Sequence, residues 1–215
     1  MADNLFEAQY DITKKSKLRK FYESNKILIF SFILIFTISI GSFIFYLEKK
    51  EQEKILISEN YIKAKIYLES GKENEAIEIL KKGIFSNDPT YSSLCFFIIL
   101  NQGLITNREE LLVLFDHLLE NNKFDKEVKN LLIFKKALFI SDYANESELL
   151  DVAKPLLNTE TLWKPHALLL LGNYFAAKEE DLKAKEFYVK ILNIEGLHQD
   201  IYNQARSQLS IISDE

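Results

Sequence analysis

From Ile27 to Tyr46 twenty consecutive residues carry no charged side chain, and Leu47 extends the run. At about 1.5 Å rise per residue such a stretch makes a helix of roughly 30 Å, the thickness of a bilayer's hydrocarbon core. A core helix of a soluble protein carries a polar stripe, and this one has none; only Ser31, Thr37, Ser39, Gly41 and Ser42 interrupt the apolar side chains. Small hydroxyls bond back to the carbonyls of their own helix, so they do little to oppose insertion. A cleaved signal peptide has an apolar region of only about 7–15 residues and a small-residue cleavage site after it, and neither is present. Against the competing reading of a buried soluble helix, the run predicts a single membrane span over 27–47, with 168 residues following it.

Those 168 residues suffice for one domain with a sizeable core. Six glycines and three prolines in the whole chain disfavour a turn-rich β fold and suit helices joined by short loops. Apolar residues recur at three- and four-residue steps, as in Tyr61, Ile62, Ile66, Tyr67 and again in Ala76, Ile77, Leu80, Ile84. Turn-forming or charged breaks fall at Gly71 to Asn74, Asn87-Asp88-Pro89, Leu104 to Asn107, Asn121-Asn122, Asn145, Asn158 to Glu160, Glu179 to Asp181 and Glu195-Gly196. Asn107 before Glu109 and Glu110 reads as a helix cap, and Pro89 as a first-turn proline. The pattern predicts an all-α chain: the span, then about eight helices of roughly 12–19 residues, without strands.

Charge bears on sidedness and on partners. The first 47 residues hold six Lys/Arg and four Asp/Glu, so the remainder is distinctly acidic and argues against nucleic acid as a partner. Lys14, Lys15, Lys17, Arg19, Lys20 and Lys26 precede the span; Lys49, Lys50, Lys54, Lys63 and Lys65 follow it. The denser set is N-terminal, which by the positive-inside rule places the tail, 1–26, in the cytoplasm and the domain, 48–215, in the periplasm. Leu18, Phe21 and Tyr22 share a helical face and would lay an amphipathic turn on the inner leaflet; a solvated basic tail is the alternative.

The helices pair into a repeat. Ala64, Tyr67, Gly71, Ala76, Leu80, Gly83 and Pro89 follow the order of small, aromatic and glycine positions of the tetratricopeptide repeat, a helical hairpin of about 34 residues. The proline comes one position late. The pattern returns as Leu171-Gly172, Phe175, Ala184, Tyr188 and Ile191, with Ala184 twelve after Gly172 as Ala76 is twelve after Ala64. A weaker copy holds Ala137, Ile140, Ala144, Leu149 and Ala153, and a degenerate unit lies around Leu94 to Asn121. A non-repetitive helical bundle is the other architecture this pattern allows.

A short charged segment, one anchor and a degenerate tetratricopeptide domain together resemble the YfgM-type ancillary subunits of the Sec translocon, in their divergent alphaproteobacterial form. The likeness is carried by Asn4-Leu5-Phe6-Glu7 with Phe21-Tyr22, by the repeat from Tyr61 to Phe85, and by Leu162-Trp163-Lys164-Pro165-His166-Ala167 running into Leu171-Gly172, Ala184 to Leu192 and Gln204-Ala205-Arg206. The family has an alanine-rich repeat region where this chain has Ile, Phe and Lys. The resemblance implies an inner-membrane protein whose periplasmic repeats sit beside the translocon and a membrane-anchored chaperone and help emerging clients. An envelope scaffold for cell division or outer-membrane assembly, and a signalling or enzyme-associated subunit with the domain in the cytoplasm, use the same architecture.

Catalytic patterns are not found. His117, His166 and His198 have no metal-ligand companion at i+4, and no phosphate loop, nucleophile elbow or zinc spacing occurs. Asp116-His117 and Glu109-Glu110 read as a solvated helix face. Cys95, the only cysteine, lies in an apolar run and reads as a core residue. The expectation is a protein-binding adaptor, not an enzyme, with no cofactor and no metal. In stacked hairpins the first helices line a concave surface. Matching positions place Tyr61 and Lys65, Phe134 and Lys135, and His166, Leu169 and Asn173 on it, with core packing as the alternative for Tyr61, Phe134 and Leu169.

Overall fold

A computed structural model describes residues 17–213, with side chains described from Arg19 onward. The Asn4 to Glu7 segment and most of the basic tail lie outside the described residues. All regular structure among the described residues is helical, in nine helices. Two compact units divide at Leu56 and Ile57.

The first unit is built on α1, Lys17–Glu69, which is two helices meeting at Asn25 (φ −120°, ψ 17°). No break falls at Leu47, where the sequence reading ended the span. The stretch after Leu47 is charged but holds no glycine or proline before Gly71, so nothing stops the helix. The apolar stretch of α1 is long enough and apolar enough to cross a membrane, and none of it is buried. Thr37 Oγ1 donates to the Leu34 carbonyl at 2.8 Å, so this hydroxyl is satisfied inside its own helix.

The second unit holds the end of α1 and α2 Glu73–Ile84, α3 Pro89–Gln102, α4 Arg108–Asn121, α5 Lys126–Ile140, α6 Glu146–Leu157, α7 Lys164–Ala176, α8 Asp181–Leu192 and α9 Gln199–Ile211. Local chemistry sets the boundaries. Gly71 (φ 73°) turns the chain after α1, where the Lys72 amide donates back to the Tyr67 carbonyl at 2.8 Å. Asp88 caps α3 through the amides of Thr90 and Tyr91, with Pro89 in the first turn. Asn107 and Asn145 cap α4 and α6 through the amides of Glu110 and Glu148. Each expected break is present.

Packing divides the interior. Ala64, Leu80, Ile84, Cys95, Phe96, Phe115, Leu118 and Leu132 form one apolar cluster. Ala137, Ile140, Leu149, Ala153, Leu171, Phe175, Ala184, Tyr188 and Ile191 form another. Phe139 of α5 packs against both, so α5 joins the halves. The tightest helix pair is α7 with α8, while α3 packs mainly on α2 and only lightly on α4. The expected degenerate unit is therefore an open pair, its first helix held by the preceding one. Tyr67, the aromatic position of the expected first repeat, is half-buried with Lys63 and Lys72 over its ring. Last, α9 buries Ala205 and packs Ile201 and Leu209 on the second cluster, joined by Ile212 just past its end, while its remaining residues are mostly polar.

Candidate functional site

The seven residues expected on a binding face fall into separate groups. Tyr61 is half-buried, its ring 6.0 Å from that of Tyr91 on α3, and Lys65 Nζ lies 5.9 Å over it. Phe134 stacks on Trp163 at 5.6 Å and 22°, and the His166 ring lies 5.7 Å from Phe134 and 5.3 Å from Trp163. Lys135, the neighbour of Phe134 expected on the same concave surface, is half-buried. Leu169 is half-buried against the second cluster. Asn173 is exposed, and its Oδ1 accepts a hydrogen bond from the Tyr188 hydroxyl at 2.8 Å. The structure thus brings Phe134 and His166 together around Trp163, and Tyr61 with Lys65, while Asn173 stands apart, exposed and holding the Tyr188 hydroxyl.

The aromatic trio is positioned by the connection between α6 and α7. Glu127, in the first turn of α5, accepts through Oε2 from Thr161 Oγ1 at 2.8 Å and from the Leu162 amide at 3.3 Å. Its backbone carbonyl accepts from the Trp163 indole at 3.2 Å. Asn130 donates to Thr161 Oγ1 at 2.9 Å, and Lys126 to the Glu160 carbonyl at 2.9 Å. Lys164 bridges the Glu160 carboxylate at 2.7 Å; that hydrogen bond, with the lysine's charge, holds the carboxyl below the usual carboxylate range. These bonds fix a loop that leaves Leu162 exposed to 74% beside Trp163. The part played by Glu127 is not legible in the sequence, because a partner 36 residues away leaves no periodic trace.

Two grooves adjoin α7. One of about 700 Å³ is lined by Leu157, Lys164, Leu168, Phe187, Lys190 and Ile194. A second, of about 380 Å³, includes Asp142, Leu170, Asn173, Tyr174 and Lys178. There the Tyr174 hydroxyl donates to the Ala144 carbonyl at 3.1 Å and accepts from Lys178 Nζ at 2.5 Å. Both grooves mix apolar floors with charged rims, a chemistry suited to peptide side chains.

Of the residues expected as a solvated helix face, Glu109 is exposed, while Glu110, Asp116 and His117 are half-buried and meet neighbouring elements. Asp116 pairs with Lys136, Glu110 with Lys81, and His117 packs its ring 4.5 Å from Phe85 while its Nε2 lies 3.1 Å from Asn87 Oδ1. Each links α4 to α5 or to the α2 end, contacts that a helical wheel cannot show. Cys95 is buried with its Sγ against Gly83, and burial pushes its thiol up to about 12, as the core reading expects. Among the described residues no group of three or more His, Cys, Asp or Glu is placed to hold a metal ion.

No family model matches the chain, and no curated protein or solved structure is significantly similar to it. The likeness to YfgM-type subunits therefore rests on the residues quoted for it.

Proposed function

We propose that the chain is a membrane-anchored adaptor that binds protein segments through a tetratricopeptide-like stack of helical hairpins. The observation that carries this reading is the long, wholly uncovered apolar stretch of α1 in a chain whose regular structure is helical among the described residues. Burying such a stretch in lipid removes its apolar side chains from water at roughly 25 cal/mol per Å². Support for the repeat reading comes from Gly172 and Ala184, both buried between α7 and α8, and from Ala64, Ala76 and Gly83 at matching positions, also buried. Protein binding is supported by the ordered aromatic trio with Leu162 exposed beside it and by the two mixed grooves along α7.

The resemblance supplies the partner. On this proposal the N-terminal tail is cytoplasmic, the domain periplasmic, and the stack recruits the Sec translocon and a membrane-anchored chaperone. Lys65→Glu tests it, because Lys65 is exposed and surface changes of this kind usually alter stability by within about 0.5 kcal/mol. In pull-downs from solubilised membranes the parent should recover translocon and chaperone subunits and the variant should lose them at an unchanged melting temperature. Recovery of division or outer-membrane assembly proteins instead, with no translocon component, assigns the chain to an envelope scaffold.

A further inference from the structure

The break in α1 sits two residues before the uncharged run begins. At Asn25 the backbone leaves helical geometry (φ −120°, ψ 17°), and the Asn25 side-chain amide donates to the Phe21 carbonyl at 3.1 Å. A side chain that competes for a helix carbonyl is a recognised cause of a kink. On the N-terminal side of the kink, Phe21 is exposed to 61% and Tyr22 to 47%. One residue apart, they lie about 100° from each other around the helix axis, on one side of it. Arg19, Lys20 and Lys26 flank them in sequence and are exposed, with Arg19 paired to Glu23 at 3.4 Å and Lys20 and Lys26 left as the cations of the segment. Beyond the kink, Ile27 opens a stretch whose far end carries Phe45 and Tyr46, followed by Lys49 and Lys50. The apolar segment is thus bracketed at both ends by aromatic residues next to cations, the composition of the two faces of a bilayer.

We infer that the segment Arg19 to Ser24 is a surface arm that docks Phe21 and Tyr22 into an anionic lipid surface while the helix beyond Asn25 crosses the membrane. The occupant follows from charge and continuity. Basic residues beside a span attract anionic headgroups, each contributing within about a Debye length of the surface, and the aromatic pair adds apolar area at the depth where amphipathic rings partition. A straight helix would carry Phe21 and Tyr22 out of the headgroup region into water; the kink allows the arm to turn along the surface. This inference rests on the anchoring reading and adds a second, lipid-selective contact to it.

The full chain is reconstituted in vesicles of phosphatidylcholine alone and in vesicles that also contain phosphatidylglycerol. Phe21→Trp, Ser24→Trp and Ile35→Trp each add emission over the parent's Trp163. Quenching is read with lipids brominated near the headgroup, lipids brominated near the chain end, and aqueous acrylamide. In anionic vesicles the Phe21→Trp emission should be quenched by headgroup-brominated lipid and be at least about twofold less open to acrylamide than Ser24→Trp. Lys20→Glu with Lys26→Glu should return it to acrylamide. Equal acrylamide quenching at positions 21 and 24 in both vesicles, with Ile35→Trp still quenched by deep bromines, overturns the arm and leaves the anchor standing. Docking as strong in neutral as in anionic vesicles overturns the lipid selectivity. Loss of deep quenching at position 35 overturns the anchor and the arm with it.

Discussion

Gly172 of α7 lies against the ring of Tyr188 on α8 so closely that a Cβ on Gly172 would fall 2.5 Å from Cε1 and 2.8 Å from Cδ1. The ring cannot easily yield, because Tyr188 is fully buried and its hydroxyl is tied to Asn173. Gly172→Ala should therefore destabilise the helical unit by about 1–3 kcal/mol although alanine is the better helix former. Thermal unfolding followed by circular dichroism, on the chain in mild detergent, should show a melting temperature lower by several degrees. Tyr188→Leu should recover part of that loss in the double variant.

A second close approach joins α2 to α3, where a Cβ on Gly83 would collide with Cys95 Sγ. Gly83→Ala and Cys95→Ala should each destabilise, and the double variant should lose less than the sum by about 0.5–3 kcal/mol, since one removes the obstacle that harms the other. Additive losses would mean that α2 and α3 do not meet at this pair.

Glu179 occupies the left-handed region (φ 60°) just past α7, with the Glu180 amide returning to the Phe175 carbonyl at 3.0 Å. Glycine takes this conformation without a Cβ penalty, as Gly71 does at the end of α1. Glu179→Gly should accordingly stabilise the chain, or leave it unchanged where chain entropy offsets the relief, within about 1 kcal/mol. A fall in melting temperature of more than a few degrees would rule out strain at this turn.

The Cys95 thiol gives a pH dependence. Burial raises it from an ordinary value of 9.0 to about 12, so the folded chain holds its proton where the unfolded chain has lost it. Its contribution is complete below about pH 9 and declines between about pH 9 and 12. Tyr188 is shifted in the same direction by the same cause, desolvation. Urea midpoints measured at pH 8 and pH 10.5 should fall, and fall less in Cys95→Ala. At pH 8 a maleimide should label the folded parent far more slowly than the unfolded chain.

Helix ends were legible because they are written locally. Gly71, Asp88-Pro89, Asn107 and Asn145 each act within four residues, and a reader of the chain meets them in order. The small residues at Ala64, Ala76, Gly83 and Gly172 also pointed correctly to buried positions, with close helix approach at Gly83 and Gly172. The continuation of α1 past Leu47 was not read, because a change from apolar to charged side chains looks like a boundary although the backbone has no reason to stop. Nor were the pairings of Lys81 with Glu110 and Lys136 with Asp116, or the hold of Glu127 on Thr161. Such contacts join residues 20 to 34 apart, and helical periodicity carries no information about which surface charge faces which neighbour.

Placing Arg at Ile35 probes the anchor. At mid-membrane it should cost about 2.5–3.5 kcal/mol of insertion free energy, and alkaline carbonate should then release more of the variant than of the parent. Equal retention of both would remove the principal support for a single span.

The most direct measurement is photocrosslinking in intact membranes from two positions of the helical unit. A photoreactive residue replaces Lys65, proposed for the binding face, or Leu182, which is exposed to 84% on α8. The adaptor account predicts a discrete protein adduct from position 65 that is absent from position 182. Identical adduct patterns from both positions, or no protein adduct from position 65, would contradict it.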